Sequence, residues 1–133
     1  MVLPSHVMVV EDDAVLALAI EQTLRDAGVV EVEICATTTQ AMKALAANKP
    51  ELVILDVHLA DSDDGWAIAE LVESLKPKAP QIIFSTGAPQ DIPDRIAELG
   101  QVLAKPYEPE QLIALIRQPR AKGLMSRLRD AIR

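Results

Sequence analysis

A doubly wound α/β domain on a five-stranded parallel sheet is the fold class that this sequence predicts. Three observations lead there. Short apolar runs alternate with stretches of helical periodicity five times in 133 residues. The inner runs, Val7–Val10 and Leu52–Leu55, are continuously apolar, which marks strands covered on both faces, as in parallel sheets. The length suits one domain, and half the residues are apolar, enough for a core. Right-handed crossovers restrict such a chain to a doubly wound order. Sites in these sheets form beyond the carboxyl ends of the strands, where the strand order reverses.

The elements follow in order. Val7–Val10 reads as a buried strand. Leu16, Ile20 and Leu24 recur every four residues on one helix face, and Gly28 stops that helix. Val30, Val32 and Ile34 alternate as a half-buried strand. Ala41, Met42 and Leu45 predict a short second helix that ends before Pro50. Leu52–Leu55 is a central strand, and Trp66 to Leu75 is a helix closed by Pro77. Gln81–Ser85 is the fourth strand. Asp91–Leu99 is a weak helix with Pro93 near its start, and Gln101–Ala104 is the fifth strand. Pro109 opens the last helix, "EQLIALI", at the position where its missing N–H costs nothing.

Composition narrows the function. The aromatic residues are Phe84, Trp66 and Tyr107, so the core is aliphatic. A single cysteine, Cys35, excludes an internal disulfide and a Cys-rich zinc site. No secretory signal pattern opens the chain, and no apolar run approaches the ~20 residues that span a bilayer. A cytoplasmic protein without a membrane partner is expected. The net charge of −7 is uneven: residues 117–133 hold six basic residues against Asp130, net +5, which leaves −12 on residues 1–116. Such an acidic body argues against nucleic acid as a partner.

The carboxyl ends of the predicted strands gather the chemistry. Glu11, Asp12 and Asp13 follow the first, Asp56 ends the third, Ser85, Thr86 and Gly87 follow the fourth, and Lys105 follows the fifth. Three adjacent carboxylates repel one another, so a cation is expected among them. Carboxylates from two strands with room for water and phosphate oxygens suit magnesium. A hydroxyl and an ammonium opposite suit the remaining oxygens of a phosphoryl group.

The stretches "VVEDD", "LVILD", "FSTG" and "AKPY", in this order over about residues 5–117, resemble the receiver domain of two-component response regulators. The intervals of 44 residues from Asp12 to Asp56 and 30 from Asp56 to Thr86 match that pattern. The resemblance implies a flavodoxin-like (βα)5 fold of the CheY type. It implies that Asp56 accepts a phosphoryl group from a histidine kinase or histidine phosphotransfer protein. Asp12 would ligate magnesium directly, Glu11 through water, and Asp56 and the backbone carbonyl of His58 would complete the site. Thr86 and Lys105 would contact the phosphoryl group, and the bond before Pro106 would be cis. The chain would be a signalling phosphoacceptor rather than an enzyme, although one that assists its own phosphorylation and dephosphorylation.

Two departures stand out. Val102 occupies the position of the aromatic residue that this family uses as a rotamer switch. "FSTGAP" resembles instead the FATGUY subgroup of single-domain receivers, with Pro89 in place of its Tyr. The response to phosphorylation is therefore expected in the backbone of residues 87–99. The acidic loop "HLADSDDGW" resembles a calcium loop only superficially, since position twelve from Asp61 is Val72 rather than Glu. A solvated turn before the Trp66 helix is expected there. His6 and Cys35 have no motif partner and read as structural. A haloacid-dehalogenase-like phosphatase also uses an Asp that ends a strand, but it requires a second Asp where His58 stands.

Residues 1–117 thus read as the receiver domain and 118–133 as a basic amphipathic tail. Leu124, Leu128 and Ile132 share one stripe beside Met125, with Arg127, Arg129 and Arg133 off it. The tail reads either as a frayed chain end or as a short amphipathic helix that docks on the acidic body or on a partner, a second copy included. The chain reads as a stand-alone switch or relay intermediate, the alternative being a receiver portion of a hybrid kinase or longer regulator.

Overall fold

A computed structural model describes residues 3–57, 66–75 and 79–118. His58, the acidic loop with Asp61, Asp63 and Asp64, the Trp66 side chain, Pro77 and the tail from residue 119 lie outside the described residues. The strands are β1 (His6–Val10), β2 (Glu31–Cys35), β3 (Leu52–Asp56), β4 (Gln81–Thr86) and β5 (Gln101–Ala104). The helices are α1 (Ala14–Ala27), α2 (Thr38–Ala47), α3 (Trp66–Ser74), α4 (Asp94–Ala97) and α5 (Pro109–Ile116). The sheet is parallel in the order β2-β1-β3-β4-β5. The order reverses between β1 and β3, which opens a crevice at their carboxyl ends.

Alternation along the central strands divides the core into two layers. Met8, Val10, Val53, Leu55 and Phe84 face one way and pack on Ala41 and Leu45 of α2, Ile68 and Val72 of α3, and Ile96 of α4. Val7, Val9, Ile54 and Ile83 face the other way and pack on Ile20 and Leu24 of α1 and on Leu112 and Ile116 of α5. Gly28 ends α1 in the left-handed region at φ 112°, and its N–H donates to the Arg25 carbonyl. A side chain is strained in that conformation, which is why the apolar periodicity stops there.

The fold departs from expectation at three places. The weak helix expected over Asp91–Leu99 is broken into a 3-10 turn at Pro89–Asp91 and the single turn of α4. Pro93 explains the break: it lacks an N–H and holds Ile92 extended, at φ −78° and ψ 121°. Along β2, Val32 alone of the three alternating residues packs on the core, while Val30 is 75% exposed and Ile34 37%. This strand lies at the sheet edge, where the α1 layer covers it only in part. Coverage also fails on β5, the other edge, where Val102 and Ala104 are exposed on the side served by the one-turn α4.

Candidate functional site

The three consecutive carboxylates after β1 have three different environments. Glu11 continues the line of β1: its N–H donates to the Cys35 carbonyl at 2.9 Å, and its side chain is buried. Asp12 points into solvent. Asp13 caps α1, its Oδ1 accepting the N–H groups of Val15 at 3.0 Å and Leu16 at 3.1 Å. Two of the four unsatisfied donors of the first turn are thereby bonded. By sequence Asp13 is simply the third acid of "EDD". Its capping role was legible as an Asp directly before the apolar period of α1.

Parallel register brings the other groups to the same edge. Leu55 pairs with Val10, so Asp56 ends β3 beside Glu11. Asp56 pairs with Ser85, and Thr86 with Ala104, which sets Lys105 one residue beyond β5. The Lys105 N–H donates to the Thr86 carbonyl at 2.7 Å and anchors the lysine backbone to β4. Carboxylate oxygens of Glu11, Asp12 and Asp56 lie within 4.8 Å of one another. Glu11 and Asp56 are buried, while Asp12 keeps the cluster open to solvent.

Lys105 provides the positive charge. Its Nζ donates to Glu11 Oε1 at 2.9 Å and lies 3.6 Å from Asp56 Oδ2. Burial raises the pKa of Glu11, and its approach to Asp56 adds to that, against the lowering effect of the lysine and of the Asp13 N–H. Burial works against the Lys105 ammonium, but the Glu11 bond and the charges of Asp56 and Glu11 outweigh it and raise its pKa. One half-buried lysine thus serves two buried carboxylates, and the cluster keeps an excess of negative charge. The donor set, all carboxylate oxygens with one open side, fits a hard divalent cation.

The remaining groups form the wall on the β4 side. Thr86 is fully buried, and its Oγ1 accepts the Ala88 N–H at 3.0 Å. Ser85 Oγ lies 3.3 Å from the Tyr107 hydroxyl, a contact that no sequence signal announced. Burial pushes the Tyr107 phenol above its ordinary value. The Lys105–Pro106 peptide is cis. Cys35, buried in the apolar layer that α2 covers, has its thiol pushed up to about 11 by burial and by the Glu33 charge.

Known proteins match this chain in sequence and in fold. The response regulator receiver domain model matches residues 7–117. The sensory transduction protein LytT of Enterococcus faecalis is 30% identical over 116 residues, covering 84% of this chain and 46% of that protein. The chain spans between about a quarter and about half the length of the curated relatives it matches. The receiver domain of the PhyR response regulator of Erythrobacter litoralis superposes with a TM-score of 0.70 at 26% identity, covering 91% of this chain and 90% of that one. The receiver domain of the sensor histidine kinase PA1611 of Pseudomonas aeruginosa gives 0.71 at 25% identity, over 85% and 94% of the two chains. That domain was solved with a magnesium ion coordinated in its active-site cleft. With its motifs, strand order and carboxylate cluster matching in one stretch of chain, this protein belongs to the response regulator receiver domain family of two-component signalling.

Proposed function

We propose that Asp56 is the phosphoacceptor of this receiver, and that a histidine kinase or histidine phosphotransfer protein is the donor. The observation that carries this reading is the convergence of Glu11, Asp12 and Asp56 within 4.8 Å, with Lys105 on the same edge. Magnesium would be held by Asp12 and Asp56, by Glu11 directly or through water, and by the His58 carbonyl. When bound, it supplies positive charge to the phosphoryl oxygens and lowers the repulsion between two anions. An Asp56 oxygen attacks phosphorus in line, and the P–N bond to the donor imidazole breaks. The bonding pair leaves with the nitrogen. Lys105 lies 3.6 Å from Asp56 Oδ2, within a small movement of a phosphoryl oxygen on that side chain. The Thr86 hydroxyl, now bonded to Ala88, is the group we assign to the second oxygen. Water later cleaves the acyl phosphate, so the domain takes part in its own switching off. Residues 1–117 act as this switch in the cytoplasm, alone or within a longer regulator.

Intact-mass measurement after treatment with a small phosphodonor tests the assignment. One phosphoryl addition that depends on magnesium is expected in wild type, falling at least tenfold in Asp56→Asn. Equal addition to Asp56→Asn would sink it.

A further inference from the structure

We propose that the basic tail, residues 119–133, docks on its own domain as a short amphipathic helix in the groove between α1 and α5. That groove encloses about 490 Å3 and lies well away from the carboxylate cluster. Ala27, Pro109, Ile113 and Ala114 form its apolar lining, and Asp26 and Glu110 stand at its rim. Ala114 is exposed and Ile113 only half-buried, so an occupant would remove apolar surface from water.

Position, length and charge together select the tail as occupant. Arg117, the C-cap of α5, lines the groove itself, so the chain enters residues 119–133 from the groove's own border. Gln118 Oε1 accepts from Gln101 Nε2 at 2.8 Å, which fixes that exit point against β5. Residues 119–123, "PRAKG", can bridge up to about 16 Å when extended, enough to turn back over α5. Leu124 to Ile132 as a helix would be about 13 Å long, against about 12 Å for α5. The stripe of Leu124, Met125, Leu128 and Ile132 suits the apolar lining. Arg127, Arg129 and Arg133 then stand off it, opposite Asp26 and Glu110. The pairing joins residues 119–133, net +4, to residues 1–118, net −11.

Docking there leaves Asp56 open. The α1 residues of the groove, Thr23, Asp26 and Ala27, lie toward the C-terminal end of α1, whereas the carboxylate cluster adjoins its N-terminal end, about 14–20 Å away along the helix.

Amide-resolved NMR on the full chain tests this with two substitutions read at a distance. Leu128→Asp, in the tail, should shift the amides of residues 23–27 and 109–117 and speed their exchange several-fold. Asp26→Arg, on the rim, should shift the amides of residues 124–132. Both sets of changes should persist on dilution. Changes confined to the substituted segment in either variant would overturn the proposal. Wild-type groove shifts that vanish on dilution would assign the groove to a second copy's tail and overturn intramolecular docking. Asp26 is exposed, and dispersed sheet resonances verify folding in each variant.

Discussion

Lys105 is the residue on which the carboxyl edge of the sheet depends. Its ammonium is the only basic group within ion-pair distance of Glu11 and Asp56 among the described residues. Glu11 is 3% exposed, so removing its lysine partner leaves a poorly solvated charge held, within its own loop, by the Asp13 N–H alone. Lys105→Met is expected to cost about 2 kcal/mol of stability in magnesium-free buffer. Glu11→Gln in the same chain should recover much of that loss, because an amide tolerates burial better than an unpaired carboxylate. Urea midpoints of the two single variants and the double variant measure the coupling. Additive midpoints would show that the 2.9 Å contact contributes nothing. Which of the three adjacent acids is buried and which is solvated was not legible in "EDD", although the capping position of Asp13 was. The string specifies proximity, but burial follows from the strands that flank each side chain.

Among the elements, the β4-to-β5 connection is the least regular. Pro89 and Pro93 divide it into a 3-10 turn and one turn of helix, and the chain then reverses at Gly100. A Cβ at Gly100 would lie 2.4 Å from the Ile82 carbonyl oxygen and 2.9 Å from the Ile82 Cβ. Both are set in the central sheet, so the edge strand would have to move. Gly100→Ala is expected to destabilise the domain by about 1–3 kcal/mol, measured by thermal or urea unfolding. A variant as stable as wild type would show that β5 slides at no cost. The prolines were visible in the sequence and predicted a poor helix there. The approach to Ile82 was not, because it joins the residue before β5 to a residue of β4. Helix boundaries elsewhere followed local chemistry: Thr37 caps α2, and Glu108 with Gln111 forms a capping box on α5.

For the molecule as a whole, two apolar layers close on a sheet whose carboxyl edge is overcharged with acid. Magnesium is expected to relieve that edge. A cation that binds the folded chain alone stabilises it by mass action, about 1.4 kcal/mol at ten times its dissociation constant. For a domain of this size the rise in Tm would be about 4–8 °C. Asp12→Ala should remove most of it, since this side chain is the solvent-facing member of the cluster. Scanning calorimetry with and without millimolar magnesium checks the expectation, and no rise in wild type would reject the metal site.

The alternation of apolar runs with helical periods was enough to predict five strands, five helices and a doubly wound parallel sheet. It also placed Glu11, Asp12, Asp56, Thr86 and Lys105 at strand ends, because periodicity and strand termination are local properties of the chain. Tertiary structure decided the rest. It set Lys105 on Glu11, 94 residues away, and the Ser85 hydroxyl against that of Tyr107. It left Val30, Ile34 and Val102 uncovered at the two edges of the sheet. Those outcomes depend on strand register and on how far each helix layer extends, and both are fixed only when distant segments pack together.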